Sequence, residues 1–184
     1  RGPDSYGYKF FKFKKKLVSL IHSRLKIIDL RDIANQPITI NEFTIIFNGE
    51  IYNFKEIKKK LIEKGYTFKT NSDTEVLLKN FIDKKFESFS ELEGMWAVAI
   101  WDDKNKRLIL SRDRFGQKPL CYYKDESNFY FGSQINQINS LANKSFEINH
   151  KKILNHLSAG YRVIFKDDDT FFEDLGNDFK EALC

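Results

Sequence analysis

Phe47-Asn48-Gly49-Glu50-Ile51-Tyr52-Asn53 follows directly on the apolar run Phe43-Thr44-Ile45-Ile46. That run has the length and composition of a buried strand. The strand therefore delivers a side-chain amide, a glycine backbone N–H and a carboxylate to one point at its end. A site that must hold an oxyanion and a substrate ammonium uses those three groups. Asn-Gly is also the commonest hairpin signal, so a strand closing in a plain turn accounts for the same letters.

Working outward, residues 6 to 30 read as two strands. Asn53 to Gly65 reads as a helix, with Phe54, Ile57, Leu61 and Ile62 on one face and Gly65 at the C-cap. A second helix starts near Ser72, where Ser72-Asp73-Thr74-Glu75 has the form of a capping box. Val76, Leu77, Phe81 and Ile82 make its apolar stripe, and Leu92 falls on a following turn. Gly94 to Trp101 is nearly all apolar, as a strand buried on both faces is. Asp102 to Lys106 turns the chain, and Arg107 to Arg112 returns as its partner. Leu120 to Tyr123 and Asn128 to Gly132 form a further hairpin, and residues 149 to 158 a short helix. Hairpin-linked strands with two helices between them indicate an α+β fold with antiparallel sheets.

A chain of 184 residues is long enough for one domain with a full core. Its net charge is +5 and comes mostly from lysine. The lysines are spread along the chain without a nucleic-acid motif, which argues against a nucleic-acid partner. The densest run, Lys9 to Lys16, suits an edge strand whose charges deter sheet-to-sheet pairing. Two cysteines, Cys121 and Cys184, supply neither a disulfide framework nor a metal cluster, so a reducing, cytoplasmic setting is expected. No apolar run approaches the roughly 20 residues of a membrane helix, so no membrane partner is expected.

Further segments fall in a telling order. Arg1-Gly2-Pro3-Asp4 opens the chain, then come His22-Ser23-Arg24-Leu25-Lys26-Ile27-Ile28-Asp29-Leu30, Gln36-Pro37, the Asn-Gly-Glu-Ile-Tyr-Asn run, Ser72-Asp73-Thr74-Glu75, Gly94 to Asp102, and Arg112-Asp113-Arg114-Phe115-Gly116. Together they closely resemble the glutaminase domain of glutamine-dependent asparagine synthetases, a class II amidotransferase and N-terminal-nucleophile hydrolase. The resemblance covers residues 1–165. It implies a four-layer αββα sandwich, two antiparallel sheets flanked by helices. Residues 166–184 match poorly and would begin the connection to a synthetase domain. The resemblance also implies a leading segment beginning Met-Cys-Gly-Ile ahead of Arg1, so that this chain lacks the nucleophile.

In such enzymes the N-terminal Cys attacks the glutamine amide and its own α-amine serves as base. Cys121 and Cys184 match neither position. The resemblance places the oxyanion hole at Asn48 (side-chain amide) and Gly49 (backbone N–H). It places the glutamine α-carboxylate on Arg24, whose planar fork suits a carboxylate better than lysine does. It gives the substrate ammonium to Asp73 with Glu50 beside it. Leu25, Ile27 and Ile28 would lend backbone contacts; as apolar strand residues they are expected to be core. The Arg112 to Gly116 motif is expected to hold the fold through ion pairs, and Arg1 and Asp4 to border the pocket.

Phe131-Gly132-Ser133-Gln134 departs from the family's Phe-(Ala/Ser)-Ser-Glu. That change bears on the contact with a synthetase domain and not on glutamine binding. The implied activity is release of ammonia from glutamine for ATP-dependent amidation of aspartate. No cofactor or metal is expected in this domain; ATP and magnesium belong to the synthetase domain. That domain and glutamine are the expected partners, with a homodimer as one option. The alternative is a nucleophile-less scaffold of a related amide-forming synthetase. The retained set Arg24, Asn48, Gly49, Glu50 and Asp73 favours the working glutaminase.

Overall fold

A computed structural model describes residues 2–144 and 150–159. Arg1, Asn149, Cys184 and the segment 166–184 lie outside the described residues. The chain divides between Lys118 and Pro119 into two compact units.

In the first unit, β1 (Ser5–Phe13) and β2 (Lys16–Arg24) form an antiparallel hairpin. β3 (Ile38–Ile40), β4 (Phe43–Ile51), β5 (Gly94–Asp102) and β6 (Arg107–Arg112) form a second antiparallel sheet in that order. Alternation along β4 sends Phe43, Ile45, Phe47 and Ile51 to one face. There they pack with Val98 and Ile100 of β5 against two helices, α1 (Phe54–Glu63) and α2 (Asp73–Lys84). Ile57 and Leu61 of α1 and Val76, Leu77 and Phe81 of α2 complete this core. The opposite face turns toward the hairpin, where the rings of Phe11 and Trp101 lie 5.8 Å apart. The first unit is thus helix, sheet and hairpin in layers. In the second unit β7 (Cys121–Lys124) pairs with β8 (Phe129–Gly132), and α3 (Ile135–Ala142) packs on that pair. α4 (His150–Ala159) is the last described element. The fold is α+β with antiparallel sheets, as the pattern indicates.

Several local expectations are corrected. The strand beginning at Phe43 does not stop where its apolar run gives way to Asn48. It runs to Ile51, with Asn48, Gly49 and Glu50 paired opposite Ala97, Trp96 and Met95. Asn-Gly is therefore strand interior and no hairpin turn, because pairing with a distant strand overrides the local signal. β2 ends at Arg24, so Leu25 and Ile27 are exposed loop residues and Ile28 is half-buried. Ile62 is exposed, lying past the edge of the stripe that buries Ile57 and Leu61. Cys121 does lie in a strand, half-buried.

Candidate active site

The sheet leaves one edge of β4 uncovered where β3 ends. β3 and β4 pair as Ile38 with Ile45 and Ile40 with Phe43, so the odd-numbered β4 residues aim their backbone groups at β3. Beyond Ile38 the neighbouring strand is gone and side chains take over. The Gln36 amide stands in for a strand partner, accepting from Phe47 N at 2.6 Å and donating to Phe47 O at 3.1 Å. Asp73 Oδ2 accepts from Ile51 N at 3.1 Å. Gly49 lies between these two plugged positions, and strand alternation turns its N–H to the same edge as the Phe47 and Ile51 amides. The opposite side of Gly49 is closed: a Cβ there would come within 2.1 Å of the Met95 carbonyl oxygen. Glycine is thus required by the approach of β5. Asn48 and Glu50 project from the other face of β4, toward the hairpin.

Asp73 opens α2, whose N-cap Ser72 accepts from Glu75 N at 3.4 Å. The capping box is only half formed. The Glu75 carboxylate does not return to Ser72 N; it accepts instead from Lys69 N, Thr70 N and Thr70 Oγ1 and pairs with Lys79. Asp73 is 5% exposed, and among the described residues it forms no ion pair. Burial pushes its carboxyl up to about 6, against hydrogen bonds from the Ile51 and Thr74 amides, and the Glu50 carboxylate nearby adds to the rise. A buried carboxylate without a cation favours a positively charged guest.

Arg24 closes β2 and is 6% exposed. Its guanidinium donates to Arg31 O at 3.3 Å, to Asn35 Oδ1 at 3.0 Å and to Asp29 O. These bonds fold the chain after Arg24 around the guanidinium and explain why the strand stops there. Three of the five N–H donors of an arginine are so used. Asp29 carries the connection further: its carboxylate receives the Arg31 side chain and, at 2.8 Å, the Asn71 backbone N–H. The Arg31 bond, partly offset by burial, holds that carboxyl well below the usual range. One hydrogen-bonded path therefore runs from Arg24 to the residues just before α2. Asp4 ties in through Lys26 N, which donates to its Oδ2 at 2.8 Å.

The structure thus assembles Arg24, Asn48, Gly49, Glu50 and Asp73 within one unit, at the edge of β4, the end of β2 and the start of α2. Leu25, Ile27 and Ile28 sit on the loop leaving Arg24. The motif at Arg112 turns at Gly116 (φ 63°) and is held largely by bonds to backbone groups. Asp113 accepts from the amides of Trp96, Phe115, Gln117 and Lys118. Burial alone would raise its carboxyl, and these amides override that and hold it low. Arg112 donates to the Gly116 and Lys118 carbonyls. The motif knots its own loop through backbone bonds. Two residues missed by motif reading are His22, whose Nε2 lies 3.0 Å from Phe47 O, and Gln36. Both stand inside recognisable segments, but only the three-dimensional pairing shows what they hold.

A family model described as a glutamine amidotransferase domain matches residues 1–178. Asparagine synthetase (glutamine-hydrolyzing) 1 of Bacillus subtilis is 41% identical over 160 residues, 86% of this chain and 24% of the relative. Putative asparagine synthetase (glutamine-hydrolyzing) 2 of Methanocaldococcus jannaschii is 38% identical over 171 residues, 84% of this chain and 32% of the relative. The chain thus spans about a quarter to a third of the length of these relatives. Among solved structures, the glutamine phosphoribosylpyrophosphate amidotransferase of B. subtilis shares the fold, with a TM-score of 0.64 at 20% identity. That match covers 77% of this chain and 38% of that one.

Proposed function

Because the chain belongs to the glutamine amidotransferase domain family, we propose that the open edge of β4 and the start of α2 bind glutamine and hydrolyse its side-chain amide. The observation that carries this reading is the run of three outward amides on β4. Gln36 closes the first and Asp73 the third, while the Gly49 N–H between them faces the open edge beside Asn48. Two donors on neighbouring residues suit the oxygen of a tetrahedral intermediate. Asp73, buried and without a cation among the described residues, suits the substrate ammonium, with Glu50 adding negative charge. Arg24 has two N–H donors beyond those that hold its loop, and these suit the α-carboxylate.

In this reading a thiolate adds to the amide carbon, and the oxygen takes the negative charge between Asn48 and Gly49. The nitrogen takes the proton that the base removed from the thiol, and collapse of the intermediate expels it as ammonia, leaving a thioester. Water then cleaves the thioester to give glutamate. The nucleophile is an N-terminal Cys with its α-amine as base, as the family resemblance implies. Within a longer polypeptide the ammonia would pass to a synthetase domain for ATP-dependent amidation of aspartate, with ATP and magnesium held there. Among the described residues no helix is long and apolar enough to cross a membrane, and we place the activity in the cytoplasm.

The test uses a polypeptide that carries the N-terminal Cys ahead of Arg1. Asn48→Ala should lower kcat by about 10²–10³ while KM changes little, since the lost donor acts on charge that develops in the transition state. A loss confined to KM would make Asn48 a ground-state contact and contradict the oxyanion role.

A further inference from the structure

We infer that His22 and Gln36 are positioning residues that lock the Phe47 carbonyl and so aim Asn48 and Gly49 at the reacting oxygen. The inference rests on the glutaminase reading of the β4 edge and adds residues that do not touch substrate.

A carbonyl oxygen has two acceptor positions. At Phe47 both are taken from side chains, by Gln36 Nε2 at 3.1 Å and His22 Nε2 at 3.0 Å. Gln36 also binds the Phe47 N–H. The peptide plane joining Phe47 to Asn48 therefore cannot tilt without losing both bonds, and that plane sets the direction in which Asn48 leaves the strand. A carbonyl only accepts, so His22 must carry its proton on Nε2. Its Nδ1 is then a bare acceptor, and it is buried without a partner among the described residues. A leucine would fill the same space and leave no orphan atom, so what the imidazole adds is the Nε2 donor. The hairpin is built to bring that donor close. His22 pairs across it with Gly7, and a Cβ on Gly7 would come within 2.0 Å of the Gln36 carbonyl oxygen. Glycine there lets β1 lie directly against Gln36.

The experiment measures glutamine hydrolysis in the polypeptide carrying the N-terminal Cys. His22→Leu keeps the volume and removes the donor; kcat should fall about tenfold, the worth of one ordinary hydrogen bond, with KM within about twofold. His22→Gln, which can present an amide N–H near the Nε2 position, should recover most of the loss. In the unmodified protein, nitrogen NMR should show His22 as the Nε2-protonated tautomer. A folded His22→Leu with unchanged kcat, a Gln variant no better than Leu, or an Nδ1-protonated His22 would each overturn the inference. If the Leu variant does not fold, the Gln variant and the tautomer still decide it. The underlying reading fails separately: Asn48→Ala would then leave kcat intact, whereas failure of this inference alone leaves Asn48 essential and His22 dispensable.

Discussion

Asp73, proposed above to receive the substrate ammonium, costs the fold stability. Its carboxyl holds a proton up to about pH 6 in the folded chain, against an ordinary value of 3.8. Between those values the folded state binds more protons than the unfolded one, so stability falls as pH rises through that range. The full effect is about 3 kcal/mol at neutral pH. His22 has the opposite sign. Burial, opposed by the bond to Phe47 and assisted by the Arg24 charge, lowers it from 6.5 to about 4. The unfolded state then binds the extra proton, and stability rises with pH from about 4 to 6.5. In the native chain the two slopes oppose each other between pH 4 and 6. Asp73→Asn removes only the first. Thermal unfolding at pH 7.5 should show a raised Tm for this variant, and the gain should vanish below pH 4. An unchanged Tm at pH 7.5 would show that Asp73 carries no such penalty.

β4 shows what local letters convey and where they stop. Its apolar alternation and the importance of Asn48, Gly49 and Glu50 are legible directly. That these three stay inside the strand is not, because the cause is pairing with Met95, Trp96 and Ala97, far away in the chain. α2 divides the same way: Ser72 caps it as its sequence says, while Glu75 turns to the loop before the helix. The loop after Arg24 is hidden for the same reason, since Leu25 and Ile27 look like strand until the guanidinium gathers the Asp29 and Arg31 carbonyls. β3 and α3 are short, three and eight residues, and the sequence reading singles out neither. Gly49→Ala tests the account of β4. The new Cβ would collide with the Met95 backbone, so β5 must shift. Urea unfolding should show a loss of about 1–3 kcal/mol, the usual cost of overpacking. A variant as stable as the parent would mean the strands are not this close.

The site draws its two charged ends from opposite layers of the first unit, Arg24 from the hairpin and Asp73 from the helix layer. The Asp29 bridge joins them, through Arg24 on one side and Asn71 on the other. The RDRFG loop stabilises its own turn and presents an 82% exposed Phe115 without entering this path. The proposed function makes one claim above the rest: a single amino acid is gripped between these layers, carboxylate on Arg24 and ammonium on Asp73. Calorimetric titration of Arg24→Ala and Asp73→Asn with three ligands tests it most directly. The ligands are glutamine, glutamine lacking its α-carboxylate, and glutamine lacking its α-amine. Each substitution should weaken glutamine by about 1.5–3 kcal/mol, the usual worth of a hydrogen bond to a charged group. Binding of the ligand without a carboxylate should be indifferent to Arg24→Ala, and binding of the ligand without an amine indifferent to Asp73→Asn. The same factor of loss for all three ligands would mean that both residues merely support the fold, and would contradict the clamp.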